Sequence, residues 1–517
     1  MQFRLAAAIV ATTLIAGCTI IGPNFEKPQA PVADEWQPQD DAQVSSSSDD
    51  LAGWWKTFDD ETLNHLVSTA AEQNLPLQIA GIRIFEARAQ LGIAAGRMYP
   101  QLQRARGNLT HIEGSDNSPN ASPALDLTFR DTDIGFDAGW ELDVWGRFRR
   151  GVEAADANLL AELAGFDDTL VSVTAEVANA YVAMRTFEAR LAIARENVAI
   201  QERSLKIARV RFDNGATTAL DVEQARTLMS NTQALIPSLE TGVRQSENAL
   251  AILLGVAPGE LGSLSDKAGA IPTAPANIAV GMPADLLRRR PDIRRAELQA
   301  AAQSALIGVA KADLYPQFSL IGSVGLRSSD TGVSDLGDLF DGDSLEAGIG
   351  PSFQWNILNY GRIKNAIRVE DARFQQTLVA YQNTVLLAAR EVEDALVAFT
   401  RGKQRVIFLN TSVEAARRAV DLALVQYRDG LIDYTRVLDT QTFLINQQDA
   451  LTATKGQVVR DLIATYKALG GGWQTRPAGG VVPQKVRQDM DTRTDWGELL
   501  MESEPTPPAG TFRKPDW

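Results

Sequence analysis

The sequence holds one cysteine and two histidines among its 517 residues. With Cys18 alone, no disulfide can form within the chain. His65 and His111 lie far apart in the sequence, so we expect no His/Cys metal site, and a His-based catalytic triad has little to draw on. Basic residues number 50 against 65 acidic ones, and the net charge of −15 argues against a nucleic-acid partner. We therefore expect neither a metal nor a bound cofactor.

Proline is missing from two long tracts, residues 124–236 and 352–476. Apolar residues recur in both at helical spacing, as in "VSVTAEVANAYVAMRTFEARL" from the first tract. The pattern predicts one long helix over 146–213 and another over 361–428. At 1.5 Å per residue each helix would be roughly 100 Å long, which is unusual for a compact domain.

Each long helix is followed by a glycine at a predicted turn. Gly215 and Gly430 stand where a left-handed residue ends a helix and reverses the chain. Return helices are then predicted over 217–254 and 433–469, so that each pair forms an antiparallel hairpin with its tip at the glycine. Pro237 falls inside the first return helix and is predicted to kink or interrupt it.

The chain repeats itself. "WELDVWGR" from Trp140 returns as "WNILNYGR" from Trp355, 215 positions later, and the same offset persists to the end of both hairpins. Upstream, "YPQ" at Tyr99 returns at Tyr315 with an offset of 216. The sequence therefore predicts two tandem structural repeats with the same order of elements.

The amino terminus resembles a bacterial lipoprotein leader. An early Arg4 and the apolar run "LAAAIVATTLIAG" make residues 1–17 a signal peptide, too short for a spanning helix. Cys18 follows "LIAG" and is predicted to be acylated, although an ordinary signal peptide with an incidental cysteine has the same outline. Thr19 is not an acidic retention signal, which by resemblance to such lipoproteins favours the outer membrane.

Ahead of each long helix the apolar period changes from helical to two. Strands are predicted, in pairs, over 100–113, 130–143, 316–328 and 345–357. One face carries apolar residues, which a membrane barrel would turn to lipid: Ile134, Phe136, Trp140, Ile349, Phe353 and Trp355. The other face is polar and would line a lumen: Asp137, Glu141, Asp143, Glu346, Gln354 and Asn356. A soluble sandwich alternates in the same way, but the leader and the aromatic strand ends favour a membrane barrel.

The first of these strands allows two registers. One places Arg104 and Arg106 on the apolar face, and a shift by one residue places Ala105, Gly107 and Leu109 there instead. In either register the four strands are too few to close a barrel, and an open edge in lipid would leave backbone groups unpaired. The chain is therefore predicted to share a barrel with copies of itself.

Taken together, these features resemble the trimeric outer-membrane efflux proteins of the TolC type, in the lipoprotein branch that serves resistance-nodulation-division pumps. The resemblance runs from Cys18 to about Trp473 and rests on "GPNFEKP" from Gly22, "WWKTFDD" from Trp54, the repeated "YP" and "GR" pairs, and "LLRRRPDIRRAELQ" from Leu286. It implies a mainly α fold with a small membrane β region. Three chains would form a twelve-stranded barrel continued by a helical periplasmic tunnel. Outer-membrane lipid of a Gram-negative bacterium, a periplasmic adaptor and an inner-membrane pump are the implied partners.

The resemblance also implies a periplasmic gate just beyond the second hairpin tip. Asp439 falls on the family's tunnel-facing acidic position, so three copies would form a ring that favours cations. A neighbouring position that is often acidic in the family is Arg436 here, which suggests an Arg436–Asp439 pair one turn apart. Tyr427 and Tyr434 are candidates for bracing the tip, although tyrosines at helical spacing are also ordinary packing residues.

The resulting division has a lipid-anchored extended segment over 18–60, a first repeat over 61–255, a connector over 256–290, a second repeat over 291–473 and a tail over 474–517. The tail is polar and rich in proline and is predicted to be disordered. The arginines at 288–290 are predicted to be solvated, and Trp54 and Trp55 to pack rather than bind a ligand.

The leading functional prediction is a passive export duct that is not an enzyme. A periplasmic coiled-coil adaptor or structural lipoprotein without a pore would share the hairpins but would not need strands with a lipid-facing stripe. An enzyme that uses Asp137, Glu141 and Asp143 as catalytic carboxylates is the third alternative, but alternate residues of one strand share a face in any case and would point together into the lumen.

Overall fold

The structure is a computed structural model that describes residues 20–29, 36, 44–45, 51–115, 117, 127–260, 269–275, 278–279, 289–331, 334–476 and 480–501. Cys18, the predicted leader and most of the segment between 30 and 50 lie outside these residues. The first repeat contains α1 (Glu61–Gln73), α2 (Leu75–Gly96), β1 (Leu102–Glu113), β2 (Thr128–Leu142), α3 (Arg147–Asp213) and α4 (Ala219–Leu253). The second contains α5 (Pro291–Ala312), β3 (Gln317–Ser329), β4 (Leu345–Gln354), α6 (Arg362–Arg428) and α7 (Tyr434–Ala468). A short helix, α8 (Gln484–Arg493), follows.

The two hairpins have equal dimensions. The long helices α3 and α6 have 67 residues each, and the return helices α4 and α7 have 35 each. Gly215 and Gly430 adopt φ of 71° and 77° at the tips, the left-handed conformation that glycine takes without a Cβ clash. Helix α4 runs through Pro237 without a break, so the predicted interruption is wrong. One missing hydrogen bond is outweighed there by the extensive packing of α4 against α3.

The four long strands form one antiparallel sheet in the order β1-β2-β3-β4. The two repeats meet at β2 and β3, whose register pairs Ile134 with Leu326 and Trp140 with Leu320. Within the described residues β1 and β4 each have a neighbour on one side only. A two-residue parallel bridge also joins Val44–Ser45 to Ile278–Ala279.

The largest hydrophobic core lies where the long helices cross the amino-terminal segment. Trp54 is 1% exposed and stacks on Tyr466 of α7 with 5.3 Å between ring centroids. Trp55 joins the same core, together with Leu63 of α1 and Phe399 of α6. Both tryptophans therefore pack against the helices, as the sequence predicted.

Corresponding hydrogen bonds join the helices of each repeat. Asn74 is the cap residue before α2. Its Nδ2 donates to the carbonyl of Leu253 at the end of α4, at a distance of 2.8 Å. Arg290, the cap residue before α5, donates from Nη1 to the carbonyl of Ala468 at the end of α7, over 2.6 Å. Both side chains are buried. In each repeat the return helix is thus tied by its last carbonyl to the start of the helix that precedes the strands.

The prediction of a solvated arginine run is wrong for Arg290, whereas Arg289 is exposed and Arg288 lies outside the described residues. Arg290 is 8% exposed and forms ion pairs with Asp292 at 2.8 Å and Glu391 at 2.9 Å. These carboxylates and the Ala468 carbonyl satisfy the guanidinium donors, which is what allows the charge to be buried.

The carboxyl-terminal segment is also a correction, because residues 480–501 are folded against the first repeat. Val482 and Met490 pack on Phe85 of α2 in a small buried cluster. Arg88 donates from Nη1 to the carbonyls of Leu499 and Met501, each at a distance of 3.1 Å. A few apolar residues in a polar stretch were enough to dock it, which composition alone did not reveal.

Among the described residues, no helix combines the length and apolarity needed to cross a membrane. In the same part of the chain, no group of three or more His, Cys, Asp or Glu side chains is placed to hold a metal ion.

Candidate functional site

The apolar face of the sheet is exposed. Ile349 is 82% exposed, Phe353 70% and Phe136 66%, and Ile134 and Trp140 lie on the same face. Large apolar side chains this open to solvent mark a surface that something else covers. Nothing else among the described residues of the chain provides that cover, since these side chains remain exposed in the complete fold.

The opposite face is polar and carries ion pairs between neighbouring strands. Arg104 of β1 contacts Asp137 of β2 at 2.9 Å, and Arg106 contacts Asp133 at 3.1 Å. Arg327 of β3 contacts Asp131 at 3.1 Å. The predicted lumen residues Asp137, Glu141, Glu346 and Gln354 all lie on this face, as their strand registers show.

These ion pairs settle the register of β1. Ala105 pairs with Phe136, and Gly107 pairs with Ile134, so the shifted alternative is the one observed and Leu109 shares the apolar face. Arg104 and Arg106 are held on the polar face by aspartates of β2: Asp137 lies directly opposite Arg104, and Asp133 and Asp137 flank the position opposite Arg106. The sequence showed the arginines but not the carboxylates that face them.

Three predicted face residues lie beyond the ends of the strands. Asp143 lies one residue beyond β2, and its carboxylate accepts hydrogen bonds from the backbone N–H groups of Phe148 and Arg149, each at 3.0 Å, so it caps the start of α3. Asn356 and Trp355 follow the end of β4 and belong to the loop before α6. The first backbone N–H groups of a helix have no acceptor within the helix, so a polar side chain next to the helix start can accept their hydrogen bonds.

The amino-terminal segment lies on this strand-to-helix region. Ile21 donates its N–H to the carbonyl of Trp145 over 3.1 Å, and Arg150 binds the segment from α3. The guanidinium of Arg150 donates to the Ile21 carbonyl at 3.2 Å and to Asn24 Oδ1 at 2.8 Å. Lys27 pairs with Glu297 at 2.6 Å. These contacts explain the "GPNFEKP" sequence as a docking segment.

At the far end, the tips of the two hairpins are joined by tyrosines. Tyr427 and Tyr434 are 2% and 1% exposed and meet edge to face with 5.3 Å between centroids. The Tyr427 hydroxyl donates to Asp221 Oδ2 of the first hairpin over 3.0 Å. Arg211 of α3 lies over the Tyr427 ring, 4.7 Å from its centroid, and donates to the Arg428 carbonyl at 3.1 Å. The two tyrosines thus link the hairpins rather than only filling space.

Burial controls the protonation of this cluster. It raises the pKa of Tyr427 to about 12, with the hydrogen bond to Asp221 as the second cause. Burial also raises the pKa of Tyr434, and the neighbouring Tyr427 and Asp221 add to that shift. Both phenols therefore stay protonated at neutral pH, which Tyr427 needs in order to donate.

The other two gate candidates stand apart from the tyrosines. Asp439 and Arg436 are exposed on α7. The ion pairs formed by the described residues do not include Arg436–Asp439, so the predicted pair is wrong in the single chain. Asp439 therefore keeps a solvent-exposed carboxylate near the tip of the second hairpin.

Between tip and core, the hairpins meet along a polar seam. Asn197 donates to Gln448 Oε1 over 2.8 Å, and Gln441 donates to Ser204 Oγ over 2.6 Å, both within the buried interface of α3 and α7. Arg190 and Asp449 add a two-bond ion pair at 2.7 and 3.0 Å. Buried polar pairs of this kind set the relative position of the helices and contribute less to the stability of the fold.

Sequence reasoning missed Arg211 and Asp221. One signal was available in the repeat: Asp221 occupies the position that Arg436 holds in the second half, 215 residues later. A carboxylate in one tip and an arginine in the other marked the two tips as chemically different, although only the fold shows that Tyr427 reaches Asp221.

Comparison with known proteins agrees with this architecture. The family model described as "Outer membrane efflux protein" matches residues 66–256 and 282–471. The "Probable efflux pump outer membrane protein TtgC" of Pseudomonas putida is 30% identical over 479 residues, covering 92% of this chain and 96% of its own. The "Probable outer membrane lipoprotein SilC" of Salmonella typhimurium is 30% identical over 480 residues, covering 91% and 100%. The solved structure of the outer-membrane channel OprN superposes with a TM-score of 0.82 and 31% identity, covering 88% of this chain and 99% of that one.

Proposed function

The chain belongs to the outer membrane efflux protein family, and we propose that three copies close its four-stranded sheets into one twelve-stranded barrel. The protein is the outer-membrane duct of a tripartite efflux system, mainly helical with a small sheet, and works with a periplasmic adaptor and an inner-membrane pump. Small molecules pass through it without chemical change, and the pump supplies the energy. We propose that this pump is of the resistance-nodulation-division type, as the lipoprotein branch implies.

One observation carries the trimer: β1 and β4 are edge strands of a sheet whose apolar face is exposed. In lipid, each unpaired backbone group at such an edge costs several kcal/mol, roughly, so the edges must be paired. The strands alternate in direction, so β4 of one copy meets β1 of the next antiparallel, in keeping with the rest of the sheet. Three sheets of four strands give a barrel of an ordinary size.

The polar face of the sheet would then line the lumen. Its acidic residues are partly neutralised by Arg104, Arg106 and Arg327. A lumen lined by ion-paired side chains binds no passing solute strongly. This suits a duct for varied solutes more than a selective binding site. A pore-free scaffold would have no use for the exposed apolar stripe, and an enzyme would not need its carboxylates paired with arginine.

We also propose that Cys18 carries a lipid anchor. Ile20, two residues later, lies against Gly146 at the end of the strand region, where a Cβ on the glycine would come within 3.0 Å of the Ile20 Cα. Two residues span at most about 7 Å, so the acyl chain would start beside the apolar band of the sheet. Lipidation would thus add to the hold of the barrel on the outer membrane.

The tip is the proposed gate. Tyr427 and Asp221 hold the second hairpin to the first, and three copies of the exposed Asp439 would face one another around the tunnel axis. Opening would require the tyrosine contact to break and the tips to separate, which the adaptor would drive by binding the open form more tightly.

The test is ion conductance of the purified, acylated protein in a planar bilayer, with heat-modifiable migration as the assay for the trimer. A duct gives discrete single-channel steps and a trimer that separates only on heating. A folded oligomer without conductance at any voltage would contradict the duct, and a stable monomer would contradict the shared barrel.

A further inference from the structure

The internal repeat supplies a template for contacts that the single chain does not make. Positions after the strands differ by 215 between the repeats, and positions just before them differ by 216. A repeated hydrogen bond supports this correspondence. Trp140 Nε1 donates to the Met98 carbonyl over 3.1 Å, and Trp355 Nε1 donates to the Leu314 carbonyl over 3.0 Å.

The first strand-to-helix crossing, residues 143–146, is joined to the second repeat. Trp145 stacks on Tyr315 with 4.8 Å between centroids and 29° between ring planes. Its Nε1 also donates to the carbonyl of Pro316 over 2.8 Å. Tyr315 and Pro316 directly precede β3, so this contact accompanies the pairing of β2 with β3.

The second crossing, residues 355–361, carries the corresponding aromatic residue without such a contact. Tyr360 holds the position of Trp145, and it is 99% exposed with a φ of 50°, which is uncommon for a residue other than glycine. Tyr99 holds the position of Tyr315 and is 40% exposed. Within one chain the two cannot meet, because Tyr99 precedes β1 and Tyr360 follows β4, the opposite edges of the sheet.

We propose that Tyr360 of each copy packs on Tyr99 of the partner subunit, at the level where the barrel passes into the helical tunnel. The inference rests on the proposed trimer, in which β4 of one copy pairs with β1 of the next. That pairing joins a second repeat to a first repeat, as β2 and β3 join a first to a second. A contact equivalent to that of Trp145 with Tyr315 therefore occurs at each of the three boundaries between subunits.

The surroundings of Tyr360 fit an occupant from another copy. The first crossing is covered by the chain's own Ile20, whereas a Cβ on Gly361 would find only Asn365 Nδ2, at 3.9 Å. Ile357 and Leu358, on the same loop, are 70% and 84% exposed. This apolar loop continues directly from the free edge of β4, so a chain that pairs with the edge also reaches the loop.

The ion pair at the first crossing has no equivalent between subunits. Arg147 lies 3.5 Å from Asp313 at the first crossing, but the corresponding residues are Arg362 and Arg97, which have like charges. Beyond the strand pairing, the contact between subunits at this level therefore depends on the aromatic pair and not on an ion pair. Aromatic pairs contribute beyond the area they bury and suit a membrane interface, where one end of the ring stays wet.

Cross-linking tests the contact. Tyr99→Cys/Tyr360→Cys in the full acylated chain is treated, in outer-membrane vesicles, with a short bifunctional thiol reagent. We expect reducible dimers and trimers on denaturing gels, and monomers from each single variant and from the unchanged protein. Trp145→Cys/Tyr315→Cys, the template pair, must react with the same reagent within one chain and still migrate as a monomer.

Two failures are distinguishable. Trimers on native gels with only monomers after cross-linking would overturn the Tyr360–Tyr99 contact and leave the duct intact. Absence of both trimer and conductance in the unchanged protein would overturn the proposed function and this inference with it.

Trimer dissociation on heating in detergent gives an independent measurement. We expect Tyr360→Ala to lower the dissociation midpoint by several degrees and Leu358→Ala, on the same loop, to lower it less, because an aliphatic side chain lacks the ring contact. Tyr360→Trp should keep or raise the midpoint, because tryptophan is the residue of the first crossing and its N–H can donate to a carbonyl, as that of Trp145 does. Tyr99→Ala combined with Tyr360→Ala should cost no more than either change alone, and additive losses would contradict a direct contact.

Discussion

The hydroxyl of Tyr427 on α6 donates a hydrogen bond to Asp221 on α4, with 3.0 Å between the oxygens, and so ties the tip of the second hairpin to the first. Bonds to a charged acceptor in a buried site are among the stronger ones in proteins. This phenol therefore supplies a direct side-chain hydrogen bond between the two tips.

Tyr427→Phe removes this bond and keeps the ring. We expect the closed tip to lose roughly 2 kcal/mol and single-channel conductance to rise several-fold. Tyr434→Phe is the matched control, because its hydroxyl hydrogen-bonds to no described residue. Equal conductance in the two variants would mean that Tyr427 only packs.

High pH should open the same contact. Burial, aided by Asp221, raises the pKa of Tyr427 to about 12, whereas a free tyrosine titrates near 10, roughly. The folded state holds this proton more tightly than the unfolded chain. The stabilising effect of the Tyr427–Asp221 hydrogen bond is therefore complete below the ordinary pKa of tyrosine and is lost as the pH rises through about 12. A spectrophotometric difference titration of the protein against Tyr427→Phe should show one late-titrating phenol, and a transition near the ordinary pKa would contradict the burial argument.

Asp439→Ala tests the proposed acidic ring. Removing three exposed carboxylates from the tunnel mouth should raise conductance and weaken block by trivalent cations. Arg436→Ala serves as the comparison, and because the two residues form no ion pair in the chain, its effects should not mirror those of Asp439→Ala. An unchanged current–voltage response in Asp439→Ala would place the constriction elsewhere.

Exchanging charges across β1 and β2 tests the polar wall. Asp137→Asn leaves Arg104 and Arg106 without one of their partners, so the reversal potential in a salt gradient should shift toward anion preference. The swap Arg104→Asp with Asp137→Arg restores the pair and should bring selectivity back toward that of the unchanged protein. A swap that behaves like Asp137→Asn would mean that the pair does not face the permeating ions.

The buried hydrogen bond of Asn74 should be measurable in thermal stability. Asn74→Ala removes both the cap of α2 and the bond to the Leu253 carbonyl, and should lower the free energy of unfolding by about 2 kcal/mol. Asn74→Ser keeps a neutral side-chain acceptor for the Leu77 N–H and loses the amide donor that reaches the Leu253 carbonyl, so its loss should be smaller. Equal losses would show that the cap contributes nothing.

Sequence pattern was enough to predict the two long hairpins, the duplication and the two faces of β2, β3 and β4, but not those of β1. Apolar period depends on local geometry, with 3.6 residues per turn of helix and two per pleat, so α3, α6 and the β2 alternation were predictable within a few residues. Glycine at Gly215 and Gly430 marked the tips for the same local reason.

Tertiary structure alone decided which side chains meet. Arg104 turned to the polar face because Asp137 lies opposite it, Asp143 became a helix cap because free N–H groups follow it, and Arg290 was buried because Ala468, Asp292 and Glu391 satisfy it. The docking of residues 480–501 on α2 depends on Phe85, hundreds of positions away. Each of these outcomes is set by a partner distant in the chain, and a periodic pattern carries no information about distant partners.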